Sequence, residues 1–291
     1  MLGACIDIGS NTTRLLVAEI EAGRLREVAQ QRAFTRLGAK GGITPEKIDL
    51  CAEAVATQVR IANELGCTSI RAVATAAIRT APNRDELVAK IERAAGIPLD
   101  VLSGEDEARY AFMGATHTLG HLPIGEVGVV DVGGGSTELV CGTLADGVSW
   151  SVSFRVGSGF LADHYLHSDP PALNELEQIR RHVDGVFEGL QAPQPRVVYA
   201  VGGSATSLRK LVGAVIDHET LQRSIRLLAE HPADEIARRF ELDPVRVKLL
   251  PAGMLLLDAA SVVFGAPLQI AKGGLREGVL LAELDRERIL T

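Results

Sequence analysis

Residues 5–17, CIDIGSNTTRLLV, return as residues 129–141, VVDVGGGSTELVC. At an offset of 124 positions Asp7 meets Asp131, Gly9 meets Gly133, Thr12 meets Ser136, Thr13 meets Thr137 and Leu15 meets Leu139. Chance rarely reproduces an acid, a glycine and a hydroxyl pair at equal spacing inside matching apolar patterns. The chain is therefore expected to build one supersecondary unit twice.

The elements around the first copy give the kind of unit. Ala4, Ile6 and Ile8 alternate with smaller or polar positions, and a second apolar run follows over 15–20, so residues 4–20 read as two strands around the turn GSN. A third strand is expected over 27–35. The segment ITPEKIDLCAEAVATQVRIANELG offers Thr44 as cap, Pro45 at the first helical position and Gly66 as stop. Ile48, Cys51, Ala52, Val55, Val59 and Ala62 fall on one face, which predicts an amphipathic helix. A strand over 70–76, a helix over 83–95, a strand over 99–102 and a helix over 105–118 follow. Three antiparallel strands extended by crossover units make a mixed sheet with helices on both faces. The second copy continues through strands near 148–156, a helix from about 160, a strand over 197–203, further helices and a last strand and turn over 268–274. The expected division is 1–122, which a last helix at about 277–291 would complete, and 123–276, two like domains facing each other across a cleft.

Composition excludes several functions. The chain has 291 residues, 46% of them apolar and 23% charged, which suits a soluble protein with a large core. The start MLGACIDIGSN lacks a secretory leader's basic and apolar regions, and no apolar run approaches the roughly 18 residues of a membrane span, so a cytoplasmic protein is expected. Cys5, Cys51, Cys67 and Cys141 are widely spaced, which reads as reduced core cysteines. A net charge of −7 argues against nucleic acid and anionic membranes as partners, so an anionic substrate must meet a local basic cluster. No GxxxxGK[ST] is present. GSGFLA at 157–162 fits a loosened dinucleotide fingerprint without the required acid. The pairs His117 with His121 and His164 with His167 lack a third metal ligand.

The two turns carry chemistry of their own. A tight turn of Gly, Ser and Asn can aim consecutive N–H groups into one concavity, and Thr12 and Ser136 add hydroxyl donors, which makes an anion site. Asp7 and Asp131 end the strands before them, where a carboxylate can bind Mg²⁺ that also bridges phosphate oxygens. A plain Gly-rich hairpin explains either turn alone. Two in register favour phosphate binding.

CIDIGSNTTRLLV, TAAIRTAPNRDELVAKI, LSGEDEARYAFMG, VVDVGGGSTELV, AVGGSATSL and KGGLREGVLLAEL together resemble the successive motifs of the exopolyphosphatase and guanosine pentaphosphate phosphatase family (Ppx/GppA), nearly end to end. The resemblance implies two ribonuclease-H-like domains of the actin, sugar-kinase and Hsp70 superfamily around a phosphate-binding cleft. It implies phosphate loops at Gly9, Ser10, Asn11 and Thr12 and at Gly133, Gly134, Gly135 and Ser136, with Asp7, Asp131 and Glu138 as the acids that hold Mg²⁺ or Mn²⁺ or position water. Glu107 in LSGEDEARY matches the family's general base, although Asp106 stands where the family usually has Glu. Glu105 and Asp106 are explained by favourable charge at a helix start. Arg79, at the end of the expected strand in TAAIR, matches an arginine that reaches substrate phosphates. Gly202 and Gly203, and Lys272 and Arg276, lie where superfamily relatives contact nucleotide, although glycine also serves tight strand-to-helix packing there. Arg14, Arg109, Lys272 and Arg276 are alike as cleft candidates, and each is as readily explained as a surface residue. Some family members carry a further helical HD-type domain. This chain is expected to lack it, and with it a tight processive grip on long chains. A homodimer is also implied.

The implied function is hydrolysis of the terminal phosphoryl group of polyphosphate or of guanosine pentaphosphate, giving the tetraphosphate. The alternatives are a non-catalytic sensor of a phosphorylated ligand, which would need the loops but not Glu107, and a kinase of the same superfamily.

Overall fold

Apolar periodicity and turn chemistry set the order of elements, which a computed structural model describes for residues 1–21, 24–38 and 42–290, with backbone alone over 284–290. Thr291, the end of the expected last helix, lies outside the described residues. The chain divides into two compact units, Met1–His121 with Gly273–Thr291, and Leu122–Lys272.

The first unit contains β1 (Leu2–Ile8), β2 (Thr12–Glu21), β3 (Arg24–Phe34), α1 (Pro45–Glu64), β4 (Ser69–Ala74), α2 (Ala76–Arg79), α3 (Arg84–Ala95), β5 (Leu99–Val101) and α4 (Gly104–His117). The second contains β6 (Val127–Val132), β7 (Thr137–Thr143), β8 (Gly147–Phe154), α5 (Ser158–Tyr165), α6 (Leu173–Phe187), β9 (Val197–Val201), α7 (Gly202–Val212), β10 (Val215–Ile216), α8 (His218–Glu230), α9 (Ala233–Phe240), α10 (Pro244–Phe264) and β11 (Leu268–Ile270). The final helix, α11 (Leu275–Leu290), returns to the first unit.

The first sheet has the order β3-β2-β1-β4-β5. Its first three strands are antiparallel, and β4 and β5 run parallel to β1. The second sheet, β10-β11-β9-β6-β7-β8, repeats that plan, with β6, β9 and β11 in the places of β1, β4 and β5. The short antiparallel strand β10 is its addition. Parallel neighbours need long crossovers, and the amphipathic helices supply them.

In α1 the predicted stripe Ile48, Cys51, Ala52, Val55, Val59 and Ala62 is buried, and Gly66 follows the helix with φ +81°. Burying each large aliphatic side chain contributes about 1.5–3 kcal/mol. Gln58 is buried on the same face because its amide donates to the Thr13 carbonyl and to Gln31 Oε1. The opposite face of this sheet is closed by α4 and α11. Cys5, Leu16, Ala18, Ile20 and Val73 pack there with Leu102, Tyr110, Val279 and Leu280.

Two readings of the sequence are corrected. The strand expected over 70–76 ends at Ala74, and Arg79 lies in the one-turn helix α2 rather than at a strand end. Among the described residues α10 is long and apolar enough to cross a membrane, with a mean hydropathy of 1.8, although no such run was expected. It is mostly buried: Leu250, Met254, Leu255, Leu256, Leu257 and Phe264 all lie inside the second core. A predominantly apolar helix is what the centre of a large unit requires.

Candidate functional site

Each copy of the repeat closes its turn in the same way. The Gly9 N–H donates to the Thr12 carbonyl at 3.0 Å, and the Gly133 N–H donates to the Ser136 carbonyl at 3.0 Å. In the first turn the Ser10 carbonyl accepts from the Gly38 N–H at 3.1 Å. The Asn11 carbonyl accepts from the N–H groups of Thr35 and Arg36 at 3.2 and 3.1 Å. In the second, the Gly133 carbonyl accepts from the Ser158 N–H at 2.9 Å and the Gly134 carbonyl from the Phe160 N–H at 2.9 Å. The Ser158 hydroxyl adds a second donor to the Gly133 carbonyl. Both turns thus have their carbonyls pinned from behind. Among the described residues no hydrogen bond engages the N–H groups of Ser10, Asn11, Gly134 or Gly135. Free N–H groups beside pinned carbonyls can form an anion-binding nest.

The support behind the second turn was missed in the sequence. GSGFLA, set aside there as a poor dinucleotide motif, is its brace. A Cβ at Gly157 would lie 2.5 Å from the Gly134 backbone carbon. Gly157→Ala is accordingly expected to displace the turn, raising the KM for a phosphate substrate about tenfold or more and destabilising the fold by about 1–3 kcal/mol. Steady-state kinetics and calorimetry check both, and a variant with unchanged KM would show that the turn does not contact substrate.

The acids stand where the repeat puts them, with one difference between copies. Asp7 on β1 faces Arg14 across the strand pair, whereas Asp131 on β6 faces Glu138 on β7. The same position is a cation in the first unit and an acid in the second. Glu138 is buried and accepts from the Ser153 hydroxyl at 2.8 Å. Gly202 holds φ +86° beside Asp131, and a Cβ there would collide with Asp131 Oδ1, so only glycine lets α7 begin this close to the carboxylate. Gly203 is buried in the first turn of α7.

Asp7 is half-buried, but its Oδ1 is closed off from solvent and has no hydrogen-bond partner; the Asn11 amide nitrogen is orphaned likewise. Burial pushes the Asp7 carboxyl up, opposed by the nearby Arg14 and Arg276 guanidiniums and reinforced by Glu277. An orphaned buried oxygen calls for a donor or a cation. Among the described residues no three His, Cys, Asp or Glu side chains form a ready cage. Mg²⁺ takes one or two protein carboxylates and completes its shell with water and phosphate, a donor set that the Asp131–Glu138 pair on neighbouring strands could supply.

The raised Asp7 value has a consequence for stability. The folded state holds this proton more strongly than the unfolded chain, so ionising Asp7 costs stability as pH rises through the unfolded value near ~4 and up to the folded one. In metal-free buffer Asp7→Asn is expected to melt above the wild type at neutral pH, with the gap closing below about pH 4. A variant less stable than wild type throughout would refute this.

Glu107 and Arg79 are brought together. Ser103 caps α4 by accepting the Asp106 N–H at 3.0 Å, which starts the helix so that Glu107 turns inward. Glu107 is 6% exposed and is ion-paired with Arg79, whose Nη1 also donates to the Leu102 carbonyl at 2.7 Å. Its neighbours differ. Glu105 is exposed, and Asp106 accepts from Arg109 at 3.0 Å. Arg109 also lies over the Tyr110 ring, so it belongs to the surface of α4. Lys272 is exposed, whereas Arg276 is half-buried within electrostatic reach of Asp7. His117 and His164 bond to carbonyls of their own helices, at Met113 and Phe160.

A family model described as the Ppx/GppA phosphatase family matches residues 16–287. Exopolyphosphatase 1 of Mycobacterium leprae is 27% identical over 304 aligned positions, covering 97% of this chain and 89% of its own. Exopolyphosphatase 2 of Mycobacterium tuberculosis is 33% identical over 233 positions, covering 74% and 72%. Among solved structures, the Aquifex aeolicus member of the Ppx/GppA family is 29% identical over 99% of this chain and 98% of its own, with a TM-score of 0.83. An exopolyphosphatase from Cytophaga hutchinsonii, 22% identical, shares the fold with a TM-score of 0.87 over 98% of each chain. The fold is thus that of the actin, sugar-kinase and Hsp70 superfamily, built from ribonuclease-H-like units.

Proposed function

The chain belongs to the Ppx/GppA phosphatase family, and from that premise we propose that it is an exopolyphosphatase, hydrolysing the terminal phosphoanhydride of inorganic polyphosphate in the cytoplasm. Conversion of guanosine pentaphosphate to the tetraphosphate is the second candidate activity, for which Gly202, Gly203, Lys272 and Arg276 are the positions that would meet the nucleotide. One observation carries the hydrolytic reading: Glu107 is a buried carboxylate at a helix start, held by the arginine expected to meet phosphate. A sensor would need the N–H turns and not this acid.

In the proposed reaction each unit brings its own phosphate-binding turn, with the N–H groups of Ser10 and Asn11 and the Thr12 hydroxyl in the first and the N–H groups of Gly134 and Gly135 and the Ser136 hydroxyl in the second. Asp131 and Glu138 in the second unit, and Asp7 in the first, are the acids that would hold Mg²⁺ or Mn²⁺. The cation would offset negative charge on the phosphate oxygens. Arg79 stabilises the transferred phosphoryl group, and Glu107 orients water and accepts its proton. Phosphate release from purified protein, measured with polyphosphate and with guanosine pentaphosphate in Mg²⁺, tests the assignment. Release from polyphosphate is the expected result; binding without release from either substrate would favour the sensor, and phosphoryl transfer to an acceptor other than water the kinase.

A further inference from the structure

The Arg79–Glu107 contact joins two groups for which the proposed reaction has separate uses. Glu107 is nearly closed off, its side chain 7% exposed, whereas the Arg79 side chain is 22% exposed and so remains more open to a ligand. Nη1 of Arg79 carries both bonds, one to Glu107 Oε1 and one to the Leu102 carbonyl. A guanidinium has five N–H donors in a planar fork that fits phosphate with two parallel bonds. A guanidinium paired with a carboxylate stabilises its ionised form and lowers its affinity for a proton, so Glu107 is a weaker base for water while Arg79 holds it. The two expected roles therefore oppose each other for as long as the contact lasts.

We propose that Arg79 is passed from Glu107 to the substrate: without ligand its Nη1 restrains the carboxylate, and an arriving phosphate group takes over the guanidinium and frees Glu107 for water. The Leu102 carbonyl is the pivot, keeping Arg79 in place while one partner replaces the other. Phosphate can displace the carboxylate because it offers more negative charge and a bidentate fit. The freed Glu107 oxygen then accepts a proton from water, the water oxygen bonds to phosphorus, and the bridging oxygen leaves with its electron pair on the shortened chain. Base activation is thereby tied to occupancy by phosphate. The remaining charges at this end of α4 do not replace Arg79: Asp106 and Arg109 pair with each other. On the packed helix α11, Arg276 and Glu277 adjoin each other and act on Asp7.

This inference rests on the roles proposed for Glu107 and Arg79, and binding separates it from them. Titration calorimetry would use inorganic phosphate and methylenediphosphonate, whose P–C–P bridge resists hydrolysis, on wild type, Glu107→Gln, Arg79→Gln and the double variant. Removing the competing carboxylate should tighten binding about tenfold, and that gain should vanish when Arg79 is already absent. Unchanged or weaker binding in Glu107→Gln, or an equal gain in the Arg79→Gln background, would overturn the exchange. Turnover reports on the base separately: a Glu107→Gln variant that is inactive yet binds as wild type sinks the exchange alone, and one that hydrolyses at the normal rate sinks the base and the exchange together. If either variant folds poorly, wild-type protein labelled in arginine ¹⁵N and glutamate carboxyl ¹³C decides. Methylenediphosphonate should move one guanidinium and one carboxylate signal together, and movement of the guanidinium alone would refute the proposal.

Discussion

Glu107→Gln is expected to lose at least about 10²-fold in turnover while keeping its melting temperature within a few degrees. A base acts on water in the transition state and barely on bound substrate, so its removal appears in kcat rather than as a loss of affinity. General bases contribute about 10²–10⁴-fold, or about 3–5 kcal/mol of barrier. A carboxylate with only a helix-start role would instead alter stability by about 1 kcal/mol and the rate hardly at all. These outcomes differ by orders of magnitude, so one comparison of rate and melting curve decides. If the variant turns over normally, Glu138 becomes the next candidate, since it is buried and faces Asp131.

Asp131→Asn should be nearly as damaging, with turnover lowered at least about 10²-fold and the dependence on Mg²⁺ concentration altered. The change removes one charge and almost no volume, and Asp131 lies half-buried near the end of β6 beside the backbone of Gly202. The fold should therefore survive. Atomic absorption on dialysed protein and a Mg²⁺ titration of activity measure the effect. An active variant with wild-type metal dependence would remove Asp131 from the metal set. The first copy differs: there Arg14 stands where Glu138 stands in the second, so Asp7 faces a cation that already offsets its charge.

Local periodicity made much of the architecture legible. The stripe of α1, the three antiparallel strands of each sheet and the parallel strands after them all follow from spacing and turn residues, which act over a few positions. The repeat then gave the second half the plan of the first. What could not be read depends on contacts between distant residues. Gly157 looked like part of a failed nucleotide motif because its constraint is the backbone of Gly134, across β7 and β8. The apolar run of α10 was not recognised as a core helix because nothing local says what surrounds it. Arg79 was assigned to a strand end, since TAAIR suits a strand or a helical turn equally well, and its pairing with Glu107 spans 28 positions. The exchange of Arg14 for Glu138 was visible in the alignment of the two copies. Its meaning appears only when β1 with β2 and β6 with β7 place each residue opposite an aspartate.

The return of α11 to the first unit sets an unusual order of completion during synthesis. Residues 122–272 are contiguous and can close their core as soon as they leave the ribosome. The unit that begins the chain cannot, because Val279 and Leu280 cover the sheet face formed by Cys5, Leu16, Ala18, Ile20 and Val73, and Glu283 supplies the 2.6 Å partner of Arg71 on β4. At about 5–20 residues per second, that face waits on the order of ten seconds or more after its own strands have emerged. Nascent chains usually finish their N-terminal domain first. Here the later unit is complete first, and the exposed apolar face of the earlier one is the surface on which a chaperone would act and at which a chain released early would aggregate.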